Sequence, residues 1–319
     1  MKLWSRLVEL TQLREPATVL ALVRIALALC ALYTIGSVVW HDIVELVWLD
    51  AEWGGYRTLK HGPYLVEWLG GPTPELIWTL IVLALVASFL LLVGFGGRVV
   101  AFLALQLVIA VTDLNGQAGG SYDELMTSGM WLLVLGPSTA TWSADCRIRT
   151  GTWHDPGATS ASWVRWLGTF QVILAYWSTG MQKLSAYWTP AGGYSALYYI
   201  LQQPSWHRWD MSAAAYVYPF TQFMSFTTWW WEVLAPVLWL WLWLRHTRER
   251  GGRFRQAMLR WNLRNGFALF GLFLHLGVWA TMEVGPFSWV TLSFYLCFFH
   301  PDELRAAWQR VRGRQPAAG

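Results

Sequence analysis

The sequence predicts an all-α fold: a polytopic membrane helix bundle of about eight transmembrane helices, with N- and C-termini cytoplasmic. Three observations carry that expectation. Hydrophobic residues make up 55% of the 319 positions and charged residues only 13%, about half the charge content of an ordinary soluble domain. Tryptophan occurs 25 times; membrane interfaces collect Trp and Tyr at headgroup level, and a soluble core has no use for so many. The third observation is that basic residues fall in blocks on alternate sides of the apolar runs.

The chain opens with MKLWSRLVELTQLREPATVL, in which acids and bases mix and the apolar run starts only after Pro16. No small-residue cleavage site follows, so residues 1–17 are expected to be a retained cytoplasmic segment rather than a secretory signal. A hydrocarbon core about 30 Å thick asks for roughly 20 apolar residues per helix. On that measure the spans are 18–40, 74–95, 98–113, 122–137, 163–184, 229–244, 266–283 and 286–300. The shorter ones need Trp anchors or a place inside the bundle. Residues 18–300 thus form one transmembrane domain, followed by a basic cytoplasmic tail at 301–319. Two outer loops, 41–73 and 185–228, are rich in Trp, Tyr, Gly and Pro. Within the second, TPAGGYSALYYILQQPSWHRW is expected to form a short interfacial helix started by Pro190 and stopped by Pro204. Neither an internal repeat nor a separate soluble domain is expected.

Charge tests the count of spans. On alternation from an inside N-terminus, the cytoplasmic segments hold Lys2, Arg6, Arg14, Arg98, Arg147, Arg149 and Arg165, then the seven arginines of 245–264, then Arg305, Arg310, Arg312 and Arg314. The outer side holds only Arg57, Lys60, Lys183 and Arg208. Arg24 lies near the inner end of the first span, where it can snorkel. Eighteen against four is the positive-inside pattern, and an odd number of spans would destroy it. The pI near 9.0 therefore reflects sidedness, and no nucleic-acid partner is expected; the expected partner is the lipid bilayer. The segment RHTRERGGRFRQAMLRWNLRNG has two readings, a stop-transfer charge cluster or a linker lying on anionic lipid. The three cysteines, Cys30, Cys146 and Cys297, build neither a CxxC nor a zinc spacing nor a disulfide framework.

Ionisable residues inside spans are costly unless paired or wetted, which makes them functional candidates. Here they are Lys183, His275, Glu232, Glu283, Asp113 and Asp123; under this topology all but His275 fall at outer helix ends and converge on a pocket open to the outer leaflet. Only three lysines stand among twenty arginines, and Lys183 sits in YWSTGMQKLSAYW. Gly180 and Thr179 share its helical face, so a neighbouring helix can approach closely, and Tyr176 continues that face. Lys183 is either an interfacial anchor or a partly desolvated lysine whose lowered pKa fits it for proton transfer. His275, alone among apolar residues in FGLFLHLGVW, is a packing residue or a site residue; with no second His one turn away, no metal is expected. Glu232 in TTWWWEVLAP, and Asp123 after NGQAGGSYDEL, are read as opening helices, where the dipole favours a carboxylate whatever its function.

YWSTGMQKLSAYW, GGYSAL and the later HLGVWATMEVGPFSWVTLSFYLCFF together resemble the membrane domain of vitamin K-dependent gamma-glutamyl carboxylases. They are also similar to the bacterial HTTM (horizontally transferred transmembrane) proteins, including sporulation-delaying-toxin maturation factors. The pattern that carries the likeness is Gly180, Lys183, Leu184, Trp188 and Gly192. The resemblance implies that Lys183 is the base that deprotonates a vitamin K or menaquinol-type lipid. Read with the polar residues of the spans, the candidate catalytic residues are Lys183 and His275, and the candidate pocket residues are Glu232, Asp123, Tyr176, Gly180 and Trp188. Gly120 stands where the carboxylases carry a His, and Gln182 replaces the first lysine of their doublet. The expected function is a membrane enzyme or maturation factor for a secreted or exported peptide. A non-enzymatic helper or immunity-type protein, with Lys183 and Glu232 as a structural pair, stands beside it, and a small-molecule transporter is the third reading.

Overall fold

A computed structural model describes residues 8–9, 11–56 and 62–311. Lys2, Arg6, Arg57, Lys60, Arg312 and Arg314, which enter the charge count, lie outside the described residues. The described chain is mostly helical, and it divides into two compact units, residues 1–168 with 289–319, and residues 169–288.

The first unit is built on α1 (Thr18–Trp40), α4 (Pro74–Val93), α5 (Gly97–Thr112) and α6 (Ser121–Leu135), with short α2 (Val44–Trp48) and α3 (Tyr64–Trp68) between the first two. Its buried core alternates branched and small side chains: Val23, Leu27, Ala28, Ala31 and Ile35 from α1, Ile77 and Ala84 from α4, Ala101, Ala104 and Leu105 from α5. Small residues let helices approach closely where apolar surroundings supply no squeezing force. Local signals fix the ends of α4. Thr73 accepts the Leu76 amide at 3.3 Å, Pro74 occupies the first turn, and Gly94 closes the helix in the left-handed region. A Cβ at Gly94 would stand 1.9 Å from the Arg24 guanidinium, so only glycine fits.

Arg24 is a correction to the sequence reading. It does not snorkel; it is fully buried, donating to the carbonyls of Leu91 at 2.9 Å, Leu92 at 3.2 Å and Trp142 at 2.6 Å. The last carbonyls of a helix have no intrahelical donor, and the guanidinium fork supplies one. At the same end of the unit, β1 (Arg14–Pro16) pairs antiparallel with β2 (Thr159–Ala161). α7 (Ala144–Thr150) follows α6 there, and its Asp145 accepts the Gly96 amide at 3.0 Å. Arg165, near the start of α8 (Ser162–Gln182), forms a buried ion pair with Glu15 and donates to the Cys297 carbonyl at 3.1 Å.

The second unit holds the remainder of α8, α9 (Ala196–Leu201), α10 (Tyr218–Val233), α11 (Pro236–His246), α12 (Arg253–Arg260) and α13 (Leu263–Thr281). α14 (Phe287–Tyr295) and α15 (Pro301–Val311) are the last helices among the described residues. The helix expected at 229–244 is in fact two: α10 starts eleven residues earlier, at Tyr218, and Pro236 opens α11. Proline lacks the amide that would bond the carbonyl four residues back, and the Glu232 carbonyl instead takes the Ala235 amide at 3.1 Å. The interfacial helix expected between Pro190 and Pro204 is shorter than drawn, six residues flanked by single turns at Pro190–Gly192 and Pro204–Trp206.

Among the described residues, three helical segments are long and apolar enough to cross a membrane, fewer than the eight expected: Thr18–Trp40, Pro74–Val93 and Arg253–Thr281, the last interrupted at Trp261–Asn262; Gly97–Thr112 and Phe287–Phe298 are apolar but shorter. Val82, Leu83, Val86 and Phe89 on α4 are each about half exposed. A contiguous apolar face of this kind aggregates in water but is matched by lipid tails.

Candidate functional site

The second unit brings together Lys183, Glu232, Gly180 and Trp188. Gly180 makes the meeting possible: a Cβ there would lie 2.8 Å from both the Glu232 Cβ and the Val233 amide nitrogen, so any side chain would push α10 off α8. Trp229 seals the contact by donating its indole N–H to the Gly180 carbonyl at 3.2 Å. Lys183, just past the end of α8, forms a hydrogen-bonded ion pair with Glu232. The pair is largely enclosed, with side chains 17% and 9% exposed, and the ammonium also stands 4.9 Å from the centre of the Trp188 ring, within cation–π range. Gly192 holds the Trp188 turn in place, because a Cβ there would strike the Ala186 carbonyl oxygen at 2.5 Å.

The position of Glu232 departs from the sequence reading. It lies in the last turn of α10, not at the start of a helix, so the dipole does not favour it; Lys183 does. A signal for the longer α10 was present in Thr221, Ser225, Thr228 and Glu232. Their spacing puts them on one helical face, and all four are buried. Ser225 accepts the Leu197 amide at 2.9 Å, which ties α9 to that face. Trp229 and Trp231 are the site residues the sequence reading passed over.

Tyr176 and His275 form a second polar pair. The Tyr176 hydroxyl and His275 Nε2 are 2.7 Å apart, and the His275 carbonyl accepts from Ser288 at 2.9 Å. Aromatic rings enclose them: Trp231 and Phe267 at 4.4 and 5.8 Å from the Tyr176 ring, and Phe287 at 5.3 Å from His275. Tyr176 precedes Lys183 by one and a half to two helical turns, about 10 Å, so the two polar pairs occupy separate levels of α8.

Three expected members stand elsewhere, the first being Asp113, which follows α5 in the first unit. Asp123 belongs to the first unit, where its carboxylate accepts the Gly120 amide at 2.8 Å and caps α6. Glu283 pairs with Arg208 at 2.9 Å on a partly exposed loop. Among the described residues, no group of three or more His, Cys, Asp or Glu side chains could hold a metal ion.

The arrangement offers an amine and a carboxylate sharing a hydrogen bond beside an indole face, with a phenol from α8 and an imidazole from α13 paired about two helical turns away. Such a set can pass a proton between neighbouring atoms. No family model, curated protein or solved structure matches the chain.

Proposed function

We propose that the chain is an eight-span protein of a bacterial inner membrane with both termini inside, and that Lys183 and Glu232 form its proton-handling centre. Support for the topology comes from charge asymmetry and from the three described helical segments long and apolar enough to cross a membrane. Buried Arg24 and Arg165 add to it, because they tie the start of α1, the end of α4 and the start of α8 to one end of the first unit.

The observation that carries the site is the enclosed Lys183–Glu232 hydrogen bond. Transfer of the ammonium proton to the carboxylate leaves a neutral amine that can accept the hydroxyl proton of a quinol-type lipid. Arg cannot take that role, since it does not release its proton in proteins. An amine, a nearby carboxylate and the Trp188 face suit a flat aromatic alcohol. By its resemblance to the carboxylase membrane domain, the centre would serve a membrane enzyme or a maturation factor for an exported peptide.

The second reading rests on the same enclosed pair: Lys183 and Glu232 hold α8 to α10 in a helper or immunity-type protein without chemistry. The two readings separate in one experiment. Full-length protein is purified from native membranes, its extract is assayed for quinone, and naphthoquinol-dependent oxygen uptake is measured for wild type, Lys183→Arg and the exchanged pair Lys183→Glu/Glu232→Lys. Proton handling predicts bound quinone and loss of uptake in both folded variants. Full uptake in Lys183→Arg, or no quinone in the wild type, refutes it. A folded and fully functional exchanged pair establishes the structural reading.

A further inference from the structure

The corner joining α11 to α13 concentrates charge and aromatic surface, apart from the Lys183–Glu232 centre. Residues 245–264 carry seven arginines and one acid, Glu249. Gly251 and Gly252, both with positive φ, turn the chain back, and Trp241 fastens the return by donating to the Trp261 carbonyl at 2.9 Å. Three guanidiniums are then held against two indoles: Arg245 lies 5.5 Å from the Trp241 ring centre, and Arg250 and Arg255 lie 6.0 and 5.6 Å from that of Trp243. Arg255 is fixed further by donating to the Gly251 carbonyl at 2.7 Å and to Thr247 Oγ1 at 3.1 Å. Guanidiniums held within cation–π range of an indole are positioned, and the N–H fork each carries suits phosphate oxygens.

Beside this cluster runs an apolar cleft of about 400 Å³ whose lining includes Leu234, Leu238, Trp261, Leu263, Gly266 and Phe267. Leu238, Trp241 and Arg245 share one face of α11 by their spacing, so cleft wall, indole and guanidinium follow one another over about 10 Å. Phe254 and Trp261 nearby are 63% and 72% exposed. A cationic rim above an apolar slot has the polarity of one amphiphile: an anionic head with a hydrocarbon chain.

We propose that this corner binds an acidic phospholipid, with its phosphate on Arg245, Arg250 and Arg255 and one acyl chain in the cleft. Diffuse surface charge would attract anionic lipid without discriminating among arginines and without needing the cleft. The built site makes both distinctions.

The test is native mass spectrometry of the detergent-solubilised full chain with added phosphatidylglycerol or phosphatidylcholine. Wild type should retain phosphatidylglycerol at least about tenfold over phosphatidylcholine, given three basic contacts. The triple variant Arg245→Gln/Arg250→Gln/Arg255→Gln should lose that preference, whereas Arg253→Gln/Arg260→Gln should keep it. Gly266→Leu puts a branched side chain into the cleft from a position whose Cβ meets nothing within 4 Å; it should lower retention of both lipids while preserving their ratio. Should the triple variant not elute as a single species, the three Arg→Lys replacements take its place and should weaken the preference through loss of the planar N–H fork. No wild-type preference, equal effects of the two arginine sets, or normal retention in Gly266→Leu would each overturn the proposal. The second of these would leave only a topology-setting charge cluster.

Discussion

Glu15 and Arg165 provide the sharpest test of what holds the first unit together. They are 5% and 7% exposed, and Arg165 Nε reaches the two Glu15 oxygens at 2.8 and 3.0 Å. Glu15→Ala would leave a guanidinium enclosed, with both carboxylate contacts gone and the Cys297 carbonyl retained at 3.1 Å. Removing one partner of a buried pair costs about 3–5 kcal/mol, whereas replacing both with apolar groups is often neutral. At about 1.4 kcal/mol per factor of ten, the single change shifts the folding equilibrium by more than a hundredfold. The assay is unfolding in mixed detergent micelles with increasing dodecyl sulfate, followed by tryptophan fluorescence. Glu15→Ala should lose at least about 3 kcal/mol, and Glu15→Ala/Arg165→Met should return to within about 1 kcal/mol of wild type. A single variant as stable as wild type, or a double variant as damaged as the single, would refute the argument that the charge, rather than the packing, is what must be matched.

Two further outcomes follow from the second unit. Gly180→Ala places a methyl 2.8 Å from backbone and Cβ atoms of α10; overpacking of this kind costs about 1–3 kcal/mol, and the same dodecyl sulfate titration should show it, while Gly266→Ala should be neutral or slightly stabilising. Tyr176→Phe removes the hydroxyl 2.7 Å from His275 Nε2 and takes that hydrogen bond from a buried histidine. It should cost about 1–3 kcal/mol, with the Trp fluorescence spectrum of the folded state changed through Trp231, whose ring lies 4.4 Å from Tyr176.

The helices with punctuated ends were legible from the sequence. Thr18–Trp40 and Pro74–Val93 fall within two residues of their expected limits, because Pro16, Pro74 and Gly94 mark boundaries that local sterics enforce. Gly180 was legible as a point of close approach, since its spacing from Lys183 places both on one face. The identity of the approaching segment was not: Glu232 is 49 residues away, and periodicity carries no information about which helices neighbour each other. α10 was misdrawn because the polar residues of TQFMSFTT read as loop, although their spacing is helical. Arg24 was misjudged for a related reason. A lone arginine in an apolar run looks like a snorkelling residue until the carbonyls of a distant helix end are placed beside it.

That buried arginine also sets an order of events during synthesis. Its acceptors lie 67 and 118 residues downstream, and translation at about 5–20 residues per second delivers them several to some twenty seconds after Arg24 itself. On the transmembrane reading, α1 must wait through this interval with its cation drawn toward the headgroups, and it can settle to final depth only once α4 and the Trp142 turn have arrived. On that reading α1 enters the bilayer before α4 yet reaches its resting position only after it, and truncation between Trp40 and Leu91 should strand it in a shallower register.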